Sequence, residues 1–518
     1  MKSKFSGILI ISLCFLFACN SKINHDLRKI ETETSNVEKI SKESYLKLHF
    51  HNGDVAGMSK WKTTSKDSIS GKGTLYNPNR KIIQKGKLLF SLNDVAIIET
   101  NDLAALKDND NARLASLGIL LAGNLILDFY CLANPKACFG SCPTFYAPGK
   151  DQLLESNAEG FSKSISPLFE EGDIDALKFS TKERVFQLTM KNEALETHVI
   201  NEVKLYSIPR KVSEMIYHNP DGIFYKCQNT IPCKKAFSKK DFTDKILFQD
   251  DKEYFSKSDS SDLLKSEEIF LNFETSNKDN LGLVINFRQT LMSTFLFYNT
   301  LSMMGDEVAS QFAKLETKKF HQKRFEKAFN PLRFIKVYQQ IKNRWKLIGK
   351  ISEQGPIAKN LQMIPLLPTS EKQTQLKLVM AQGNWRLDYL GLTEIISEVN
   401  PNIHTPIKIH GNAKTANNLK AISKDDKDYF ITFSGEQYLL DFELPTLKND
   451  DTHELFVYSK GYYLEWIRKE WLIEKDIKQL NRMMLMHKKT WRNLAHEFKE
   501  VEAEMENTFW NSKVSTEN

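Results

Sequence analysis

The chain reads as α+β: a β-rich N-terminal half, a helical middle, and a small C-terminal sheet domain followed by a long terminal helix. Three observations carry this. Between Tyr45 and Thr100, and again between Leu153 and Arg210, apolar residues alternate with polar ones, the period of half-buried strands. From Val284 the period changes to that of a helix. From Ile473 to Met505 apolar residues step by four and three without interruption. The expected layout is 1–18 signal peptide, 19–43 tether, 44–238 β-rich domain, 239–280 charged linker and 281–353 helical region with a basic face. A small β domain at 354–460, a heptad helix at 461–511 and a tail at 512–518 complete it.

The first residues look like an export signal. Lys2 and Lys4 precede an apolar run, Ile8 to Phe17, too short for the ~20 residues of a membrane-spanning helix. Leu16-Phe17-Ala18-Cys19 matches the bacterial lipobox, in which the cysteine is acylated and becomes the first residue. Asn20 to Glu43 is polar and aperiodic, as a tether is. These parts predict a membrane anchor through a palmitate-type chain on Cys19, and residence in the bacterial cell envelope. An outer-membrane lipoprotein facing the periplasm is the expected form, since nothing acidic follows Cys19 directly. A net charge of +7 over 518 residues is too mild to imply nucleic acid, so no nucleic-acid partner is expected.

Leu46, Leu48 and Phe50 open the strand pattern, with turn clusters at Ser70 to Gly73 and Asn77 to Asn79. Alternation puts His49 and His51 on one face of this first strand, with Asp54 close behind, a candidate metal set. The same pattern also fits a solvent-facing strand edge.

The stretch from Arg113 to Phe161 centres the chain. It opens with a dense apolar run, Leu114 to Cys131, of which Leu114 to Leu127 is expected as a buried helix, and crosses Cys138-Phe-Gly-Ser-Cys142-Pro143. Cys138 with Cys142, and Cys227 with Cys233, are candidate disulfide pairs in a chain sent to an oxidising compartment. Cys131 is left over, so the pairing stays open. Thiolates are also soft ligands that select copper or zinc. Cys138-x-x-x-Cys142-Pro143 resembles the metal motif of the Sco copper chaperones, which implies thiol or copper chemistry. In that family a helix of a thioredoxin-like fold follows, whereas Thr144 to Ala147 before Pro148-Gly149 reads as strand and turn. More widely, Asn134-Pro-Lys-Ala-Cys-Phe-Gly-Ser-Cys-Pro-Thr-Phe-Tyr146 resembles the signature of a group of uncharacterised bacterial cell-envelope lipoproteins. Ala158 to Ser162, Asn192 to His198, Thr294 to Tyr298 and Gly461 to Trp466 are similar to that group too. The resemblance implies location and architecture, and no activity.

Val185 to Met190 and His198 to Tyr206 are rich in branched and aromatic residues and read as strands. Between Leu291 and Met304 the helical pattern is apolar nearly all round, so this helix is expected to be buried on several sides, by core packing or beside a lipid or cofactor slot. Thr317 to Lys346 holds ten Lys or Arg against one acid, Glu326. Asn330-Pro331 reads as a helix start, giving two helices that are basic outside and apolar inside. Lys318, Lys319, Lys323, Arg324 and Lys327 are candidate contacts to an anionic surface. One acyl chain anchors weakly, and a basic patch is the usual second signal. A face that simply meets water fits as well.

Phe430 to Phe433 and Tyr438 to Phe442 are the best late strands. Tyr462 to Asn511 would form one helix of ~75 Å. Trp491 and Phe498 are bulky for a dimeric coiled coil, so the seam is expected partly on the chain's own body and partly toward a protein partner. His487 falls in that seam. No phosphate loop, dinucleotide glycine motif, Gly-x-Ser-x-Gly or His-Glu-x-x-His occurs, and no cofactor is implied. The reading is a lipid-anchored, non-enzymatic binding or scaffolding component. The alternatives are a metal- or thiol-dependent envelope enzyme or carrier, through His49/His51 or Cys138/Cys142, and a glycan-binding lipoprotein using the 11% of aromatic residues.

Overall fold

A computed structural model describes residues 46–50, 54–65, 67–76, 82–100, 142–148, 156–194, 196–250, 252–275, 279–352, 355–369, 371–411, 419–426, 429–433, 436–448, 450–465, 471 and 474–514. Strands dominate, arranged in five sheets of five strands each. The first sheet is local: β1 (Leu46–Phe50), β2 (Val55–Ser65), β3 (Ser68–Tyr76), β4 (Ile82–Ser91) and β5 (Val95–Thr100), in the order β4-β3-β2-β1-β5. Leu46, Leu48 and Phe50 do face its core, beside Met58, Trp61 and Ile69.

The second and third sheets form one sandwich. The second has β6 (Thr144–Tyr146), β7 (Ala158–Glu159), β9 (Val185–Lys191), β22 (Lys408–Gly411) and β24 (Gln437–Glu443), ordered β22-β24-β9-β6-β7. The third has β8 (Glu171–Thr181), β10 (Glu196–Arg210), β21 (Asn402–His404) and β25 (Thr452–Glu465), ordered β21-β10-β25-β8, with β23 (Phe430–Phe433) also on β10. Phe145, Leu188 and Leu440 of one sheet meet Leu177, Val203 and Val457 of the other.

A second sandwich follows the same rule. Its fourth sheet is β11 (Met215–His218), β12 (Phe224–Pro232), β15 (Leu281–Gln289), β18 (Asn360–Pro365) and β20 (Trp385–Val399), ordered β11-β12-β20-β15-β18. The fifth is β13 (Lys235–Phe237), β14 (Ser266–Glu274), β16 (Ile335–Ile341), β17 (Arg344–Ile351) and β19 (Gln373–Ala381), ordered β13-β14-β19-β16-β17. Ile285, Leu387 and Leu392 pack on Leu271, Val337 and Leu378. The two sandwiches join where Ile208 and Phe456 of the third sheet meet Ile216 and Phe224 of the fourth. Six helices complete the described residues: α1 (Met292–Met304), α2 (Val308–Thr317), α3 (Lys319–Arg333), α4 (Leu419–Ile422), α5 (Ile477–Met484) and α6 (Lys488–Val514).

This architecture corrects the expected fold class in three places. The helical middle is short: α1 to α3 lie between β15 and the β16-β17 hairpin. Leu332, Ile335, Tyr338 and Ile341 mimic helical spacing, but Ile335, Val337 and Ile341 are β-branched, and the hairpin buries every second residue from 335 to 339. Pro331 therefore sits inside the end of α3 and starts nothing. The long terminal helix is absent. Gly461 to Glu465 finish β25, and α5 and α6 are separated at Leu485 to His487, where Met486 has a φ of 60°. The heptad stripe folds back on the chain's own core, with Leu480, Trp491, Leu494, Phe498 and Val501 buried and His487 exposed. The small C-terminal sheet domain is not separate either: β21 to β25 complete sheets begun by β6 to β10. The charged linker contains β14, whose Ile269, Leu271 and Phe273 point into the second sandwich. The apolar run 114–131 lies outside the described residues.

Candidate functional site

Helix α1 is apolar nearly all round because it separates two apolar spaces. One side packs on α5 and α6: Phe295 lies 5.0 Å from Phe498, ring centre to ring centre. The other side, with Leu296, Phe297 and Thr300, lines a cavity of about 400 Å³. That volume falls within the range of small-molecule sites.

Three further walls close it. Helices α2 and α3 supply Phe312, Leu315, Phe325 and Phe329. The loop before β8 supplies Ile165, Leu168 and Phe169, whose ring centre lies 5.3 Å from that of Phe325, the rings tilted by 39°. Gly355 and Pro356 form the last edge. Gly355 has a φ of 118°, and a side chain there would strike the Glu159 carboxylate, so only glycine fits. Glu159 is buried and accepts the N–H groups of Ile357 (3.1 Å) and Ala358 (2.8 Å), which pins this loop to β7.

The polar groups of the lining are largely committed elsewhere. Lys163 pairs with Glu171 at 3.3 Å. Glu170 accepts from Asn201 (3.0 Å) and Tyr429 (3.2 Å), and burial followed by the Glu170 charge holds the Tyr429 hydroxyl well above the usual phenol range. Ser293 donates to Asn384 at 2.9 Å, Thr300 to the Leu296 carbonyl at 2.8 Å, and Gln322 to the Glu316 carbonyl at 3.0 Å. What remains for a guest is mostly ring face. Glu326, Asn330 and Arg333 at the margin are exposed, so the cavity reaches the surface.

The helices are held to the second sandwich by a buried ion network. Glu506 of α6 meets Arg386 of β20 at 2.5 Å and also accepts the Leu291 N–H, at the head of α1, at 2.9 Å. Arg386 and Arg288 both bind Glu253, at 3.2 and 2.6 Å. One terminal carboxylate thus caps the helix that lines the cavity.

The residues singled out in the sequence are scattered. Lys318, Lys319, Lys323 and Lys327 are exposed on α3, and the Arg324 guanidinium lies 3.7 Å from the Phe320 ring centre. Helix α3 therefore turns Phe325 and Phe329 to the cavity and these lysines outward. Cys142 is buried with a φ of 72°; Cys19, Cys131 and Cys138 lie outside the described residues. Cys227 and Cys233 are free thiols in different cores, not a pair. Strand β12 is extended between them, so six residues span roughly 20 Å, far beyond disulfide reach. Burial pushes their thiols up to about 12 and about 11, so both stay protonated. His49 lies on β1, its backbone opposite Val55 and Ile97. His51 lies outside the described residues, and the Asp54 carbonyl accepts the Phe50 N–H at 3.0 Å. Among the described residues no three His, Cys, Asp or Glu gather as a metal set, and no helix is long and apolar enough to cross a membrane.

The sequence did not point to the loop at 162–171 or to Gly355. The all-round apolarity of 291–304 was the legible signal, and it did not say which side stays open.

No family model matches the chain, and no curated protein matches it. Among solved structures, a glycoside hydrolase family 86 enzyme in complex with neoagarooctaose aligns at 6% identity, over 44% of this chain and 34% of that one, with a TM-score of 0.16. A β-porphyranase of the same family from the human gut bacterium Bacteroides plebeius aligns at 9% identity over 43% and 36%, also at 0.16. A secreted serine protease from Vibrio cholerae aligns at 6% identity over 72% and 76%, at 0.13. The chain spans about a third of the length of the glycoside hydrolases it aligns with. Scores this low carry no shared fold.

Proposed function

We propose that this is a lipid-anchored, non-enzymatic binding component of the bacterial cell envelope, and that its ligand seat is the cavity between α1, α3 and the loop before β8. The observation that carries this reading is an aromatic-lined cavity in which Lys163, Glu170, Ser293, Thr300 and Gln322 already have partners within the chain. Such a wall selects a guest by its apolar body, since unpaired polar groups in it would gain no partner. Helix α3 supports the membrane side of the proposal: Lys318, Lys319, Lys323 and Lys327 face solvent and would add the second signal that one acyl chain on Cys19 needs. An apolar guest arriving from a bilayer would then meet the cavity directly behind the contacting helix.

The test is a fluorescence titration of the full mature chain with cis-parinaric acid. Saturation at one site, competed by a non-fluorescent fatty acid, is the expected result. Absence of saturable binding would remove the cavity from the proposal. Cys19→Ser should shift the chain from the membrane to the soluble fraction; retention there would remove the anchor.

A further inference from the structure

The outward face of the fifth sheet is not a polar solvent face. Residues in register run straight across its five strands as Phe237, Phe270, Lys377, Tyr338 and Leu347. Their chain neighbours Ala236, Leu271, Leu378 and Val337 fill the core, so this row points away from it. The Phe237 and Phe270 rings stack at 5.4 Å, and Phe270 lies 5.9 Å from Trp345. The Lys377 ammonium sits 5.3 Å from the ring centres of both Tyr338 and Trp345, and pairs with Glu268 at 2.8 Å. Five strands at about 4.8 Å spacing make a track of roughly 19 Å.

Cations border the track. Lys336 and Lys350 are directly opposite each other in the β16-β17 ladder, and neither has a carboxylate within ion-pair distance among the described residues. Like charges opposite each other cost stability, so this pair is not explained by folding. Lys350 lies 5.6 Å from the Phe334 ring, and Lys235 lies 5.4 Å from the Phe237 ring.

We infer that this face binds an extended acidic polysaccharide, its sugar rings lying along the aromatic row and its acid groups meeting Lys235, Lys336 and Lys350. The sparse cations fit a polymer with spaced charges better than one with a phosphate at every unit. Lys377, already neutralised by Glu268, keeps the centre of the row nearly uncharged. A bilayer fits less well, because the rings lie side by side along the sheet and are only half-exposed. The cavity plays no part in this site, so either assignment stands if the other falls.

The experiment is affinity electrophoresis of the full chain through native gels containing alginate, with neutral pullulan gels as the reference. Retardation in alginate is expected. Tyr338→Ala should weaken it about tenfold, the usual worth of one lost stacking contact, and Tyr338→Phe should not. Lys336→Gln with Lys350→Gln, both at the surface, should weaken it without touching the core. No retardation in alginate, or retardation indifferent to both Tyr338→Ala and the lysine pair, overturns the inference. So does tighter retention of a thymidine oligonucleotide or of phosphatidylglycerol vesicles, which would assign the face to nucleic acid or to membrane.

Discussion

Two regions of the molecule use aromatic rings in opposite ways. In the cavity, Phe169, Phe325 and Phe329 face inward, and nearby polar groups are spent on one another. On the fifth sheet, Phe270, Tyr338 and Trp345 face outward and interleave with lysines, two of which meet no acid among the described residues. The first arrangement suits a guest that leaves water entirely. The second suits a guest that keeps its charges wet while its rings stack. Residue type alone does not separate the two; what separates them is whether the neighbouring charges are already satisfied.

The comparison breaks most severely at the ion network. Glu506→Ala leaves Arg386 buried without one of its partners and the head of α1 uncapped, an expected loss of roughly 3–5 kcal/mol. Chemical denaturation should show it, cis-parinaric acid binding should vanish, and alginate retardation should persist. Loss of both binding activities together would mean that the two regions are not independent.

Acid provides the next contrast. His218 is buried against Phe224 and Phe456 at the junction of the sandwiches, each ring 5.8 Å away. Burial lowers its pKa from 6.5 to about 4, although its ring nitrogen meets the Asn219 carbonyl at 3.1 Å. The unfolded chain binds this proton first, so the stabilisation is complete above about pH 6.5 and is lost as pH falls toward 4. The expected swing is on the order of 3 kcal/mol. His198 is buried likewise, its pKa lowered to about 3, so His218→Gln should reduce, not abolish, the fall of unfolding midpoints across that window; an unchanged slope would place the acid response elsewhere.

Filling the cavity has a narrower effect. Leu168 is 38% exposed at its edge, and Leu168→Trp should weaken cis-parinaric acid binding at least tenfold (about 1.4 kcal/mol) while stability moves by less than about 1.5 kcal/mol. Smallest of all is the lysine pair: Lys336→Gln should raise stability by roughly a few tenths of a kcal/mol in thermal melts, because it relieves like charges in one ladder. A fall instead would mean that the pair serves the fold.

Several features were legible beforehand. The alternation at Leu46, Leu48 and Phe50 predicted strand and buried face together, because a local sheet buries what its own period marks. Helix α3 was readable as basic outside and apolar inside. The heptad stripe was readable as apolar and as resting partly on the chain's own body, but the receiving elements were not: Phe498 finds α1 and Trp491 finds α3. Likewise Ile335 to Trp345 satisfied both helical and strand spacing, and only pairing with β19 resolved it.

Local order in the chain set the periods, the charge of α3 and hairpins such as β3-β4, since these depend on neighbours a few residues away. The fold alone decided that β10 would pair with β25, that Glu506 would cap α1, and that five strands would bring Phe237, Phe270, Lys377, Tyr338 and Leu347 into one row. Apart from the β16-β17 hairpin, those contacts join segments far apart in sequence. Their free energy comes from burying surfaces that only meet once the sheets have closed, and no local pattern records which surfaces those will be.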